Sequence, residues 1–226
     1  MKFNKESLAI LKNFSSINPN IYLTKGNFVM TRAINKTVYA EANLDDIIDS
    51  DFGIYDLPSF LSVMSLVGDD AEITNEIAED TLVIKNGRSK IYYPTANESV
   101  IVKPKSRLQF PVADVIFELP ATDLQQLLRV SRAMSIDTIA VANSNDKIVI
   151  NGYNQGVDES LSNVLYSVEV GEWEGTEDFN FLINLQNLKV LPTDYKILIS
   201  SKGAIKFEAE KFTYVIALEA NSTSTF

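Results

Sequence analysis

The sequence predicts an α+β protein of two similar domains, each made of two strand-helix-three-strand units. Three observations carry this reading. Amphipathic stretches recur four times at helical spacing, each is followed by three short β-rich runs, and turn residues separate those runs.

The helix candidates fall at about 4–14, 56–67, 120–134 and 184–191. In the first, Leu8, Leu11 and Phe14 point one way and Lys5 and Lys12 the other. The second carries a small neutral polar face of Ser59, Ser62 and Ser65. In the third, Leu124, Leu127, Leu128 and Met134 form the apolar side, opposite Gln125, Arg129 and Arg132. The fourth carries Lys189, with Gln186 and Asn187 beside it.

Strands follow the first helix at 21–24, 28–32 and 37–42, and the second at 71–74, 82–85 and 90–93. They follow the third at 138–142, 147–151 and 164–170, and the fourth at 195–199, 204–208 and 214–219. A leading strand enters each later helix, at 52–55, 115–119 and 179–183. Two echoes support duplication. Asp56-Leu-Pro-Ser-Phe-Leu61 resembles Asp123-Leu-Gln-Gln-Leu-Leu128, and Leu82-Val-Ile-Lys-Asn-Gly87 resembles Ile148-Val-Ile-Asn-Gly152. Both Asn-Gly pairs read as hairpin turns, because Gly accepts positive φ at little steric cost.

A boundary falls between the second and third units. Pro94-Thr-Ala-Asn-Glu-Ser99 breaks the strand pattern, and Lys103-Pro-Lys-Ser-Arg107 precedes Phe110-Pro111. This reads as an extended surface connector at about 94–110, which ends a first domain of 1–110; the second runs over 111–226.

Composition narrows the function classes. With no cysteine, a disulfide frame, a thiolate metal site and a thiol nucleophile are excluded. With no histidine, so are the Ser-His-Asp triad and any imidazole ligand. Nothing approaches the roughly 18 apolar residues of a membrane span, so a soluble intracellular protein without membrane contact is expected.

The formal net charge is −10, from 30 acids and 20 bases. The acids gather in loops: Asp45, Asp46, Asp49 and Asp51; Asp69, Asp70, Glu76, Glu79 and Asp80; Glu172, Glu174, Glu177 and Asp178. No cluster has the spaced ligands and glycine of a calcium loop, so these read as a solvated rim. The helix faces, by contrast, carry bases and almost no exposed acids. Local cationic faces on an acidic body suit a protein that touches a polyanion with one surface and repels it elsewhere. The phosphate-contacting candidates are Lys2, Lys5, Lys12, Arg129, Arg132 and Lys189. No base-reading motif accompanies them, so contact would be with the backbone, without sequence preference.

Several segments resemble the DNA sliding clamps of T-even-type bacteriophages. They are Leu124-Gln-Gln-Leu-Leu-Arg-Val-Ser-Arg132, Lys147-Ile-Val-Ile-Asn-Gly152 and Tyr214-Val-Ile-Ala-Leu-Glu-Ala220, with Leu11-Lys-Asn-Phe14, Met30-Thr-Arg-Ala33, Tyr39-Ala-Glu-Ala-Asn43 and Ile54-Tyr-Asp-Leu57. The likeness runs through nearly the whole chain in matching order. It implies the DNA-clamp fold, with helices on one face of curved antiparallel sheets. It also implies a polymerase processivity factor: a homotrimeric ring around double-stranded DNA, placed there by an ATP-driven clamp loader. The resemblance implies no enzymatic activity and no cofactor, and a location in the cytoplasm of the infected bacterial host. Partners implied are the DNA polymerase, through its C-terminal peptide, and late-transcription factors.

The resemblance brings Tyr39, Val102, Leu108, Phe110 and Leu218 together as the partner-peptide pocket, although each is equally readable as a core residue. Lys103, Lys105 and Arg107 would steer acidic peptide flanks. Subunits would join edge to edge, with Ser89, Ile91 and Tyr93 of one copy beside Asn163, Leu165 and Val168 of the next. Four helices per subunit at about 10 Å spacing give a trimer a hole roughly 38 Å wide and a dimer roughly 25 Å. A duplex about 20 Å across fits the trimer. Two other readings compete. One is a carboxylate-based, magnesium-dependent hydrolase using Asp69 and Asp70; the other is a β-rich virion structural protein, which gives no reason for acid-free helix faces.

Overall fold

Three α-helices form among the described residues, each where a cap and an apolar stripe coincide: α1 (Lys5–Ile17), α2 (Leu57–Val67) and α3 (Ala121–Met134). The computed structural model describes residues 1–68, 71–76 and 80–226. Asn4 caps α1 by accepting from the Ser7 N–H, and Asp56 caps α2 by accepting from the Ser59 N–H, with Pro58 in the first turn. Pro120 opens α3 without a side-chain cap, and Asp194 accepts the Ala121 N–H instead, at 2.7 Å. The buried stripe of α1 is Ile10, Leu11, Phe14 and Ile17; that of α2 is Leu57, Phe60 and Met64. No helix among the described residues is long and apolar enough to cross a membrane.

The chain divides into two units, Met1–Leu108 and Gln109–Phe226. The first contains β1 (Ile21–Leu23), β2 (Gly26–Arg32), β3 (Val38–Ile48), β4 (Phe52–Ile54), β5 (Glu72–Glu76), β6 (Thr81–Asn86) and β7 (Ser89–Pro94). The second contains β8 (Val115–Leu119), β9 (Thr138–Ser144), β10 (Lys147–Tyr153), β11 (Tyr166–Glu172), β12 (Phe179–Asn184), β13 (Tyr195–Ser200), β14 (Ala204–Glu208), β15 (Phe212–Ala217) and β16 (Thr223–Ser224). A strand forms in every run where the sequence predicts one; β16 is additional.

The pairing is antiparallel and reciprocal. In the second unit the leading strand β8 pairs with β13, from the following repeat, while β12, which leads that repeat, pairs with β9 of the one before. The first unit repeats half of this exchange, with β4 on β1. Each repeat therefore completes its neighbour's sheet, and neither repeat of a unit can close alone. Alternation along the strands puts Phe117, Leu119, Ile139, Val141, Ile150, Ile183, Ile197, Ile205 and Phe207 into one core beneath Leu124 and Leu127 of α3.

The structure corrects three expectations. The fourth helix is a single 3-10 turn, Leu185–Asn187. Asn184 spends its side chain on local backbone, with the Gln186 N–H donating to Asn184 Oδ1, and Pro192 disfavours helical geometry at Leu191. Too few residues remain to repay helix nucleation. Met134 is not core but 44% exposed. Ser135 turns left-handed after it and the Ile136 N–H reaches back to Ser131 O, so Ile136 is buried in its stead. Asn151-Gly152 is not a turn; it lies inside β10. The β9–β10 turn is Asn145-Asp146, both at positive φ (50° and 59°), whereas Gly87 does occupy the β6–β7 turn at φ 58°.

Gly53 shows the tightest backbone approach in the first unit. It sits mid-strand in β4 opposite Tyr22, and its carbonyl accepts the Ala96 N–H at 2.8 Å. A Cβ there would stand 2.4 Å from Ala96 O. Because the obstacle is backbone, Gly53→Ala is expected to destabilise the protein by about 1–3 kcal/mol in urea unfolding. An unchanged midpoint and slope would contradict this packing.

Candidate nucleic-acid interface and partner surfaces

In the first unit, α1 and α2 pack side by side and leave a groove of about 850 Å³ between them. Lys5 and Lys12 form one rim, Ser62 and Ser65 the other, and Leu8, Leu61 and Met64 lie along the floor. The second helix carries no charge at all. Lys2 is exposed but lies ahead of α1 and pairs with Glu72 at 3.4 Å. In the second unit Arg129 and Arg132 are exposed on α3, near Gln125, and Lys189 is exposed just after the 3-10 turn. Helix-borne acids are confined to first turns, Glu6 on α1 and Asp123 on α3, where the macrodipole favours them.

Not all of the acids expected in loops lie there: Asp45 and Asp46 fall in β3, Glu76 in β5 and Glu172 in β11, and two of the expected loop acids bond backbone. Asp46 accepts the Asn4 N–H and Asp51 the Lys25 N–H, at 2.7 and 2.6 Å. Among the described residues no group of three or more acids is placed to hold a metal ion. Asp69 and Asp70 lie outside the described residues.

The segment after β7 is stapled to the first unit by two buried asparagines. Asn18 Nδ2 donates to Val102 O (2.8 Å) and Arg32 O (3.0 Å), and the Val102 N–H donates to Asn20 Oδ1 at 3.0 Å. Further along, Arg107 forks onto the buried Glu41 at 2.5–3.0 Å, and Tyr39 donates its hydroxyl to the same carboxylate at 2.6 Å. Burial first, then that hydrogen bond to Glu41, pushes the Tyr39 phenol above its usual range. Lys103 pairs with Glu98 and lies 4.4 Å over the Tyr22 ring. Two of the three expected steering cations are thus already engaged within the unit.

Besides the pair β1-β4, the sheets end in β2 and β8, in β5 and β7, and in β11 and β16; β7 and β11 are the terminal strands on which the expected subunit contacts fall. Hydrogen-bond parity tells which groups they present. Thr95 N–H donates to Asp80 O, in register with Leu82↔Tyr93, Ile84↔Ile91 and Asn86↔Ser89. Alternation turns the N–H groups of Ser89, Ile91 and Tyr93 inward and those of Lys90 and Tyr92 outward. Pro94, lacking an N–H, falls on the outward side. The Asn145-Asp146 turn sets Lys147 toward β9, hence Ile150 and Gly152 toward β11, opposite Val168 and Tyr166. Val168 therefore bonds inward, Leu165 donates to Gly152 O, and Ser167 points out. Asn163 lies before the strand, donating to Asp158.

Against this geometry the comparisons are consistent throughout. A family model described as DNA polymerase processivity factor matches residues 4–103, and one described as gp45 sliding clamp, C terminal, matches 116–220. The chain is 52% identical to the sliding clamp of Escherichia phage RB69 and 50% identical to that of Enterobacteria phage T4, covering all of both chains in each case. The chain belongs to the sliding-clamp family of polymerase processivity factors. The clamp of Vibrio phage KVP40 is more distant, at 28% identity over 97% of this chain and all of that one.

Solved clamps share the fold at low identity. A PCNA2–PCNA3 complex from Sulfolobus tokodaii aligns at TM-score 0.67 with 14% identity, covering 95% of this chain and 96% of that one. PCNA of A. fulgidus, solved with the C-terminal region of FEN-1 bound, aligns at 0.66 with 13% identity and 96% of both chains. The beta chain of Streptococcus pneumoniae DNA polymerase III aligns at 0.66 with 13% identity, over 95% of this chain and 63% of that one.

Within this clamp the expected pocket residues differ in access. Tyr39 is buried, Val102 half-buried with both backbone groups bonded, and Leu108 46% exposed. In the second unit Phe110 and Leu218 are half-buried, and Lys206 stands 5.7 Å over the Phe110 ring. Glu41, Asn18 and Asn20 escaped the sequence reading. Only the pair of asparagines around Pro19, just past an apolar helix face, marked the place.

The approach to β11 is held by one carboxylate. Asp158 accepts from the N–H of Ser160, Ser162 and Asn163 and from the Ser160 and Ser162 hydroxyls. The Ser160 hydroxyl chiefly, then the Asn163 N–H, lowers its pKa from 3.8 to about 2. A depressed carboxylate contributes order that is present above the unfolded pKa and lost as pH falls through the folded one. NMR titration should thus show the Asp158 carboxyl and the Ser162 and Asn163 amides moving together with a midpoint near 2. A midpoint at 3.8 would mean the loop is not held this way.

Proposed function

We propose that this clamp closes as a ring of three copies around double-stranded DNA and tethers the replicative polymerase to it. One observation carries the reading: on a chain of net charge −10, the exposed helix surfaces present Lys5, Lys12, Arg129 and Arg132, with acids only in the first turns. Lys189 adds a fifth base beside the 3-10 turn, and Lys2 stands at the margin. Phosphate contact by such dispersed bases is weak and indifferent to sequence. Weakness is an asset where retention is topological, since the ring must slide.

The loss of the fourth helix tightens the size argument. Six helices at about 10 Å interaxial spacing give an axis circle roughly 19 Å across, too narrow for a duplex; nine, with the Leu185–Asn187 segment of each copy also taking up rim, give a wider one. Three copies are needed. They join through the open edges, with Lys90 and Tyr92 of β7 supplying N–H groups to the next copy and Ser167 of β11 answering them. Ser89, Ile91, Tyr93, Asn163, Leu165 and Val168 flank that seam. Partner peptides, the polymerase C-terminus among them, dock beside the stapled segment at Leu108, with Tyr39 and Val102 behind it. The ATP-driven loader and late-transcription factors are the further partners, and the clamp itself catalyses nothing.

Reversing charge with Arg129→Glu and Arg132→Glu together should lower the activity of the loaded clamp while circular dichroism and solution mass stay unchanged. Each lost phosphate contact should flatten the log–log salt dependence by about one unit. An unfolded double variant would make these residues structural and sink the assignment.

The seam separates two kinds of proline. Tyr92→Pro or Ser167→Pro removes an outward donor, and each should shift the assembly toward monomer with the fold intact. Ile91→Pro removes an inward donor and should cost stability instead. If sedimentation shows full assembly for both outward variants, the copies join elsewhere.

A further inference from the structure

The edge of β12 would be a further place where a strand could add, yet it is covered by the segment 219–226 of the same chain. Glu219 N–H donates to Leu182 O at 2.8 Å, and Leu182 N–H to Ser222 Oγ at 2.9 Å. β16 then pairs with β12 at Phe179↔Ser224 and Asn180↔Thr223. Thr225 N–H donates to Asp178 O, and Asp178 N–H returns to Thr225 Oγ1, both at 2.9 Å. The three outward positions of the edge, Leu182, Asn180 and Asp178, are thus answered, with the N–H groups of Leu182 and Asp178 met by hydroxyls rather than by strand backbone.

Phe226 locks the segment down. The Phe226 ring stacks on Phe181 (6.3 Å, 8°) and Phe179 (6.0 Å, 28°) and meets Trp173 edge-on at 5.9 Å. Trp173 is itself fixed by Nε1 donating to Glu177 O. Phe226 remains 42% exposed, so the lock covers the aromatic cluster without being sealed into the core.

We propose that residues 219–226 are a resident plug that keeps the β12 edge from pairing with a second copy and so from competing with the β7 and β11 edges. The inference rests on the reading that copies join edge to edge. An uncovered β12 would offer outward N–H and C=O groups at Asp178, Asn180 and Leu182, next to bare aromatic rings. That combination recruits another strand. A bared β12 would add a competing edge to those through which copies join, and copies that pair through more than one complementary set of edges branch instead of closing.

Trp173 is the only tryptophan, so its emission reports on the plug directly. The experiment compares the parent chain with a chain ending at Ser222 and with Phe226→Ala, by Trp173 fluorescence and by sedimentation over a micromolar concentration series. Both variants should red-shift Trp173. The shortened chain should form species heavier than the parent assembly, growing with concentration. Adding Asn180→Pro, which deletes an outward donor on the bared edge, should return its mass to the parent value. Should the shortened chain fail to fold by circular dichroism, the full-length double variant Thr225→Pro, Phe226→Ala is read in the same way. Parent mass at every concentration despite a red-shifted Trp173 overturns the proposal, as does an excess mass that Asn180→Pro leaves untouched. The three-copy reading is judged separately, on the parent's own mass.

Discussion

Backbone groups at the margins of β-sheets must be paired, covered or presented, and that constraint organises this chain. Each repeat is too small to finish its own sheet, so the leading strands cross over, β8 to β13, β12 to β9 and β4 to β1. The exchange makes each unit an obligate pair of repeats. It also fixes where α2 and α3 stand, because each begins where a leading strand, β4 or β8, ends. At β12 the segment 219–226 covers the edge, and the proposed contact with other copies falls on β7 and β11.

Charge follows the same economy. Several acids bond backbone amides, as Asp46, Asp51, Asp137 and Asp158 do, and those borne by helices sit in first turns. What remains on the helix surfaces is basic or neutral. A surface made this way attracts a polyanion only at close range, within a Debye length of about 8 Å at physiological salt, while the rest of the body repels it. The reading of a sliding ring needs both properties at once.

The fold was legible because strand alternation and helical spacing survive in short windows. All the strands of the repeats could be placed, and the capped helices began within a residue of their predicted starts. The failures share a cause. Residues 184–191 have an apolar spacing that suits a helix, but Asn184, Asn187 and Pro192 favour a turn, and local chemistry won. Asn151-Gly152 looked like hairpin chemistry, yet Gly152 is needed mid-strand, where a Cβ would stand 2.8 Å from Ile136 Cδ1. Met134 matched the apolar stripe but fell at the helix end, where Ile136 took its place. The Asn18, Asn20 and Glu41 contacts join residues 66 to 84 positions apart, and no periodicity encodes such long-range staples. Edge parity is equally invisible in sequence, since it depends on which of two alternating sets of N–H groups the turn has already used.

The central claim is that the open edges close three copies into a ring. Its most direct test is the mass of the intact chain in solution, by sedimentation equilibrium across nanomolar to micromolar concentration. The account predicts a plateau at three times the chain mass of 25.2 kDa, with dissociation to monomer on dilution and no dimer plateau. A stable monomer or dimer over that whole range would contradict it.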